Sequence, residues 1–270
     1  MKKKEKQEKK IQESFLRPIE NKIWPRLAPK VSKILTPMQL TFIALISAFL
    51  NGLCFYLTNY NKLWFLGAIF FAFVFWIADA LDGEVARYKK VVSKQGFYAD
   101  HIADMFAILF IFLGLGLSAL KFSIALLIIA FYFMITINVL LMTYIENTFR
   151  ISYGKLGPSE CRLILITFSF ISLVFPYPLI VFKNSFLGSL TLWDFGGIIA
   201  ASILFILLIT ITVNNFIYLK KYEKKYKPKT LRELLSDLHF RLRNAKLADF
   251  LNTELLEKEF KELVELFRKA

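Results

Sequence analysis

Six apolar runs, each long enough to cross a lipid bilayer as a helix, constrain the fold of this chain more than any other feature. A transmembrane helix needs about 20 mostly apolar residues to cross about 30 Å of hydrocarbon. The composition agrees, since 56% of the 270 residues are hydrophobic, against roughly 45–50% in a soluble domain. The sequence therefore predicts an all-α polytopic membrane protein with six transmembrane helices, at residues 40–57, 63–81, 97–120, 122–144, 163–182 and 193–219.

The distribution of Lys and Arg predicts the orientation in the membrane. Of the 35 basic residues, all but Lys62, Lys121 and Lys183 fall in the segments 1–37, 82–96, 147–162 and 220–270. Because basic loops stay on the cytoplasmic side, we expect both termini and the 82–96 segment to be cytoplasmic. The same placement accounts for the net charge of +14 through contact with anionic membrane lipids, and we expect no nucleic-acid partner. The composition is compatible with a prokaryotic inner membrane.

The chain is expected to have three parts: residues 1–35, a six-span domain at 36–219, and residues 220–270. The first part reads as an N-terminal interfacial amphipathic helix, with a solvated tail as the alternative, because apolar residues recur at helical spacing at Ile11, Phe15, Leu16, Ile19 and Ile23. The last part reads as a small cytoplasmic helical extension, which Thr230 and Glu233 begin at capping-box spacing. Its Leu-rich faces indicate packing or membrane docking rather than chemistry.

Four carboxylates interrupt the apolar pattern around the second and third runs. Asp79 and Asp82 are three residues apart at the end of the second run, and Asp100 and Asp104 are four apart at the start of the third. Residues at these spacings share a helix face. Two adjacent helices are thus expected to aim four carboxylates into one volume at the cytoplasmic edge of the membrane.

Unpaired carboxylates at this depth are costly, since insertion scales charge about 2.5–3.5 kcal/mol for an Asp at the helix centre. Hard divalent cations suit all-oxygen sites, and Mg²⁺ or Mn²⁺ is usual where phosphate oxygens complete the coordination. The plain alternative is that the four are solvated acids at helix ends. The matched spacing, with small residues and an arginine between the acids, favours a metal site.

The residues between the acids complete a pattern of eight fixed positions. Asp79 is followed after two residues by Asp82-Gly83, after two more by Ala86-Arg87, after eight by Gly96, and then by Asp100 and Asp104, each after three. This pattern resembles the signature of the CDP-alcohol phosphotransferase family at every position. The resemblance implies an enzyme that cleaves the pyrophosphate of a CDP-linked alcohol, transfers the phosphoalcohol to a hydroxyl acceptor and releases CMP.

The resemblance also implies roles for individual residues. Asp79, Asp82 and Asp100 would ligate two divalent cations, Mg²⁺ or Mn²⁺, and Asp104 would complete the metal site and act as general base. The CDP pocket would be formed by Asp79, Gly83, Ala86, Arg87 and Gly96, with Arg87 on the pyrophosphate. The family is typically homodimeric, so a homodimer in phospholipid biosynthesis is expected.

Weaker signals surround the motif. "LTPMQLT" keeps Thr36, Pro37 and Thr41 of a second family element but has Met38 where many members have Asn. Arg150, Lys155 and Arg162 are expected at the same cytoplasmic mouth, either binding an anionic acceptor or serving as positive-inside anchors. His101 is compatible with more than one branch of the family. Trp193 and Asp194 are expected at the outer membrane interface.

Two other classes also use membrane-embedded carboxylates. An intramembrane prenyltransferase holds a diphosphate through aspartate-bound Mg²⁺, but typically has two separated acidic motifs and more spans. A divalent-metal transporter places acids along a path through several spans near the midplane, and spans one, four, five and six have almost none at depth. The sequence leaves open whether the donor is CDP-diacylglycerol or a CDP-amino alcohol.

Overall fold

The computed structural model describes residues 15–146, 158–175, 180–184 and 188–225. These residues form seven helices and one antiparallel hairpin, so the predicted helical fold is confirmed with the hairpin as an addition. The elements are α1 (Arg17–Val31), α2 (Pro37–Leu57), α3 (Trp64–Lys89), α4 (Lys94–Gly116), α5 (Phe122–Glu146), α6 (Pro158–Val174), β1 (Ile180–Asn184), β2 (Gly188–Thr191) and α7 (Leu192–Lys225).

The chain divides into two compact units, Met1–Asn215 and Phe216–Ala270. Of the second unit, the structure describes only the end of α7. The predicted helical extension, including Thr230 and Glu233, lies outside the described residues beyond Lys225. The elements that carry the motif all belong to the first unit.

Five of the described helices are long and apolar enough to cross a membrane: α2, α3, α4, α5 and α7. The predicted span at residues 163–182 is wrong in its extent, because its helix, α6, ends at Val174 and the chain then forms β1. Pro176 and Pro178 follow the helix, and proline lacks the N–H that would continue it. With 17 residues, α6 is about 26 Å long.

Helix α2 organises the first unit, because α3 and α4 both pack against it. Its first turn is fixed by a capping box, in which the Thr36 hydroxyl accepts from the Gln39 backbone N–H and the Gln39 side chain accepts from the Thr36 backbone N–H. Pro37 occupies the first turn, where its missing N–H costs nothing. A stable helix start therefore holds the residues that follow it against α3.

The contact between α2 and α4 depends on a pair of glycines. A Cβ added at Gly52 would stand 2.2 Å from the Phe110 carbonyl oxygen, and one added at Gly114 would stand 2.0 Å from the Gly52 carbonyl oxygen. The two backbones thus touch where neither residue has a side chain. Next to this contact, the buried Asn51 side chain donates to the Ala68 carbonyl oxygen at 2.6 Å and ties α2 to α3.

Trp193 and Asp194, which were expected at the membrane interface, form hydrogen bonds between helices and loops at one end of the first unit. Trp193 is buried, at 5% exposure, and its indole N–H donates to the Ser172 hydroxyl at 2.7 Å. The Asp194 carboxylate accepts from the Lys121 and Thr191 backbone N–H groups. Trp193 thus packs inside the protein, with its polar group bonded there, and its place at the outer membrane interface stays a prediction.

Helix α1 packs against α3 and continues through Pro25 and Pro29. Its Ala28 is buried beside Leu81 and Val85 of α3. A second, exposed stripe is also apolar and comprises Phe15, Ile19, Ile23 and Leu27. The helix thus has apolar residues on both its buried and its exposed side. Its interfacial placement stays a prediction, and Ile11 lies outside the described residues.

Candidate active site

A short turn between α3 and α4 brings the two halves of the motif together. Lys90 adopts the left-handed conformation, with φ of 58°, and the backbone N–H groups of Lys90 and Val91 donate back to Arg87 and Ala86. The Ser93 hydroxyl then caps α4 by accepting from the Gly96 backbone N–H at 3.0 Å. Because both helices also pack on α2, the acids of α3 and α4 face the same space. We call this end of the bundle the aspartate end.

Three of the four motif aspartates converge at the aspartate end. Asp79 on α3 and Asp100 and Asp104 on α4 each offer a carboxylate oxygen, and these oxygens lie within 4.8 Å of one another. All three side chains are half-buried. An all-carboxylate donor set with this spacing suits Mg²⁺ or Mn²⁺. The described residues therefore fit a divalent cation, and we call them the aspartate cluster.

Asp82 lies apart from this cluster and has its own partner. It is 7% exposed, and its Oδ2 accepts from the Thr41 hydroxyl on α2 at 2.7 Å. A hydrogen bond to a charged group contributes about 1.5–3 kcal/mol. Thr41 thus anchors Asp82 and gives a physical role to the second predicted element, whereas Met38 is exposed at 45%.

Arg162 brings a positive charge from α6 to the aspartate cluster. Its Nη2 lies 2.7 Å from Asp79 Oδ2, with side-chain exposures of 12% for the arginine and 20% for the aspartate. The guanidinium carbon also lies 4.3 Å from the centre of the Phe75 ring, a cation–π contact. The Tyr132 side chain on α5 lies within electrostatic reach of Asp79, Asp104 and Arg162. Helices α3, α4, α5 and α6 therefore contribute side chains in and around the aspartate cluster.

The residues with predicted CDP contacts line α3 and the start of α4. Arg87 is exposed, and its Nη2 forms an ion pair with Glu84 Oε1 at 2.7 Å. Its guanidinium covers Gly83, where an added Cβ would stand 3.4 Å from Nη1. Ala86 and Gly96 are both half-buried. Arg87 thus lies on the face of α3 that Gly83 leaves open, but it contacts Glu84 rather than an aspartate of the cluster.

The remaining predicted site residues are His101 and the three basic residues of the predicted mouth. The His101 Nδ1 lies 2.9 Å from the Phe97 carbonyl oxygen and 3.8 Å from Asp100 Oδ2. The imidazole therefore contacts its own helix, and this contact does not distinguish one family branch from another. Arg150 and Lys155 lie outside the described residues. Arg162 is the member of the predicted basic mouth whose position the structure describes.

Four contacts at this end were not predicted from the sequence. The Thr41 bond to Asp82 and the Arg162 pair with Asp79 join residues far apart in the chain. Thr41 and Arg162 were themselves expected near the site, but not with these partners. Glu20 of α1 accepts from Trp76 and Ser159, and its signal in the sequence is an acid set between Ile19 and Ile23 in an apolar pattern.

The fold and the site together define a helical membrane protein with a carboxylate cluster fit for divalent cations. The sequence model of CDP-alcohol phosphatidyltransferases matches residues 33–214, which is more than half of the chain. The chain therefore belongs to this family, and the match covers α2 to α6 and most of α7. No curated protein matches it.

Proposed function

We propose that the protein is a membrane CDP-alcohol phosphotransferase of phospholipid biosynthesis, which transfers a phosphoalcohol from a CDP-linked donor to a hydroxyl acceptor and releases CMP. The observation that carries this proposal is the aspartate cluster of Asp79, Asp100 and Asp104, with oxygens within 4.8 Å of one another. Membership of the family supports the transferase class. The identity of the alcohol is not part of the proposal.

The four motif aspartates would hold the metal. Asp79, Asp100 and Asp104 would supply ligands from the cluster, and Asp82, fixed by Thr41, would supply the fourth carboxylate. Two divalent cations bound there would neutralise the pyrophosphate and stabilise both the attacking and the leaving oxygen of an in-line displacement. Asp79 and its neighbours on α3 would then face the donor, with Gly83, Ala86 and Gly96 leaving room for CDP close to the helix backbone.

Asp104 would act on the acceptor. It would take the proton of the acceptor hydroxyl while that oxygen bonds to the phosphorus that carries the alcohol, and the bond from this phosphorus to the CMP oxygen would break. General-base catalysis contributes typically 10²–10⁴-fold. The half-buried position of Asp104 inside the cluster supports this role, since a phosphate bound through cations on the same carboxylates would lie nearby.

Two arginines would bind different phosphate groups. A guanidinium offers a planar fork that matches phosphate oxygens. Arg87 would bind the donor pyrophosphate after exchanging its contact with Glu84. Arg162, with Arg150 and Lys155, would bind an anionic acceptor group. The pair between Arg162 and Asp79 supports a position next to the reacting phosphorus.

We also propose that α6 is a sixth span, that the domain comprises residues 36–219 and that the enzyme is a homodimer. Arg162 at the start of α6 contacts Asp79 in the second half of α3. Ser172, near the other end of α6, contacts Trp193, whose ring stacks on Phe65 at the start of α3. These contacts support a helix that runs along about half of α3. The positive-inside distribution supports cytoplasmic termini and a cytoplasmic active site.

The test is CMP release. Membranes that contain the protein are incubated with Mn²⁺ or Mg²⁺, a CDP-linked lipid or CDP-amino alcohol, and hydroxyl acceptors, and CMP is measured. We expect CMP with at least one donor and acceptor pair and none with Asp100→Ala. If every pair gives no more CMP than the Asp100→Ala control, the proposed function is wrong, and a prenyltransferase or a metal transporter becomes the better hypothesis.

A further inference from the structure

Glu20 of α1 joins two helices that carry the aspartate end. Its Oε1 accepts a hydrogen bond from the Trp76 indole N–H of α3 at 3.1 Å and another from the Ser159 hydroxyl of α6 at 2.6 Å. The residue is 9% exposed. A buried carboxylate costs free energy unless its oxygens have partners, and both of these partners come from other helices.

The two donors to Glu20 each lie three residues before a member of the ion pair at the site. Trp76 precedes Asp79 by three residues on α3, and Ser159 precedes Arg162 by three residues on α6. Residues three apart share a helix face and are separated by about 4.5 Å along the axis. Glu20 therefore fastens α3 to α6 less than one turn away from the ion pair between Asp79 and Arg162.

A second carboxylate also joins α1 to α6, but this one belongs to α6 and accepts from α1. Glu160 of α6 is 8% exposed, and its Oε1 accepts from the Leu16 backbone N–H at the start of α1 at 2.8 Å. An anion near a helix N-terminus is also favoured by the helix dipole. Helix α1 thus has two buried attachments to the start of α6, and the attachment through Glu20 extends to α3.

We propose that Glu20 is a positioning residue that keeps α6 beside α3, so that Arg162 stays paired with Asp79 as the resident cation of the aspartate cluster. The proposal rests on the proposed function in one respect, that the cluster binds divalent cations. A divalent cation that binds Asp79 competes with the positive charge of the guanidinium on Oδ2. The pair therefore lowers the affinity for a bare cation, and its opening frees Arg162 for a phosphate oxygen.

A positioning role for Glu20 and a purely structural role predict opposite changes in cation affinity when Glu20 is removed. If Glu20 only stabilises the fold, its removal disorders the aspartate cluster and weakens cation binding. If it holds Arg162 on Asp79, its removal frees Asp79 and strengthens cation binding in the absence of substrate. The affinity of the substrate-free protein for Mn²⁺ therefore distinguishes the two.

The experiment measures Mn²⁺ binding to the full-length protein in nanodiscs without substrate, by the electron paramagnetic resonance of free Mn²⁺. Removing one positive charge beside the cluster, in Arg162→Ala, is expected to strengthen binding by about tenfold or more. Glu20→Ala is expected to strengthen it by about threefold, as if Arg162 left Asp79 for about a third of the time. Glu20→Gln is expected to match the wild type, since its amide oxygen still accepts from Trp76 and Ser159.

The matched control is Asp194→Ala, which removes another buried carboxylate that joins separate parts of the bundle, at the end that carries Trp193. It should not strengthen Mn²⁺ binding. If Glu20→Ala does not fold, Ser159→Ala removes the same attachment to α6 and is expected to change the affinity in the same direction. Unchanged or weaker binding in both variants, or equal strengthening in Asp194→Ala, overturns the proposal. A wild-type protein that binds no Mn²⁺ overturns the proposed function itself.

Discussion

Replacing Gly114 by alanine should separate α2 from α4. The added Cβ would stand 2.0 Å from the Gly52 carbonyl oxygen, 2.6 Å from its carbonyl carbon and 2.7 Å from its Cα, and all three are backbone atoms. No side chain can rotate away to relieve this contact. The helices must therefore move apart, or one of them must bend.

The size of the movement follows from the distance. Ordinary van der Waals contact of a Cβ begins near 3.4 Å, so the helix backbones must separate by about 1.4 Å at this point. Overpacking of this kind costs about 1–3 kcal/mol. The same movement displaces α4, which carries Asp100 and Asp104, relative to Asp79 on α3. Since a misplacement of about 1 Å can reduce turnover about 10²-fold, activity should fall more steeply than stability.

The assay compares the midpoint of thermal unfolding in detergent with the rate of CMP release. We expect Gly114→Ala to lower the midpoint by about 2–4 °C for each kcal/mol lost and to reduce CMP release at saturating substrate. Gly96→Ala is the control for stability, because its nearest neighbour is the Ser93 side-chain oxygen at 3.3 Å rather than a facing backbone. A midpoint for Gly114→Ala equal to that of the wild type would refute the reasoning from the glycine contact.

Three further substitutions test individual residues of the site. Asp104→Asn should keep donor affinity but reduce the rate constant for CMP release by about 10²–10⁴-fold, the usual contribution of a general base; turnover near that of the wild type would exclude this role. Arg87→Ala should raise the KM for the donor with a smaller change in kcat, and a donor KM that does not change would contradict its placement on the pyrophosphate. Thr41→Val removes the hydroxyl that donates to Asp82 and should cost about 1.5–3 kcal/mol of stability, seen as a lower unfolding midpoint; an unchanged midpoint would show that this bond contributes little.

The aspartate cluster could be predicted because its information is local. Asp79 on one helix and Asp100 and Asp104 on the next are separated by a single turn, and helical spacing alone puts the last two on one face. Only four residues, from Lys90 to Ser93, connect the two helices. A short connection forces neighbouring helices to run antiparallel. The meeting of the acids can therefore be predicted from this segment of the sequence alone.

The long-range contacts around the aspartate cluster could not be predicted, because they form only when distant segments of the chain pack together. Thr41 is 41 residues from Asp82, and Glu20 is 139 residues from Ser159. No spacing rule connects either of these polar residues to its partner. The hydrogen bond from Trp193 to Ser172 could not be predicted for the same reason, since it depends on how α6 packs. The end of α6, by contrast, could have been predicted, because Pro176 and Pro178 follow it in the sequence.

The charges at the aspartate end bear on how metal and donor would bind. Metal binding requires the four motif aspartates to be ionised, and among the described residues the guanidinium of Arg162 alone pairs with one of them, because Arg87 is paired with Glu84. Three negative charges then remain, a costly excess in a site that apolar helices surround. One divalent cation would leave a single negative charge, whereas two would leave a single positive charge. The second state matches an incoming pyrophosphate, which carries negative charge of its own, and the first state repels it. On the proposed function, binding of the second cation and binding of the CDP-linked donor should therefore strengthen each other, as linkage requires of two ligands that stabilise the same state.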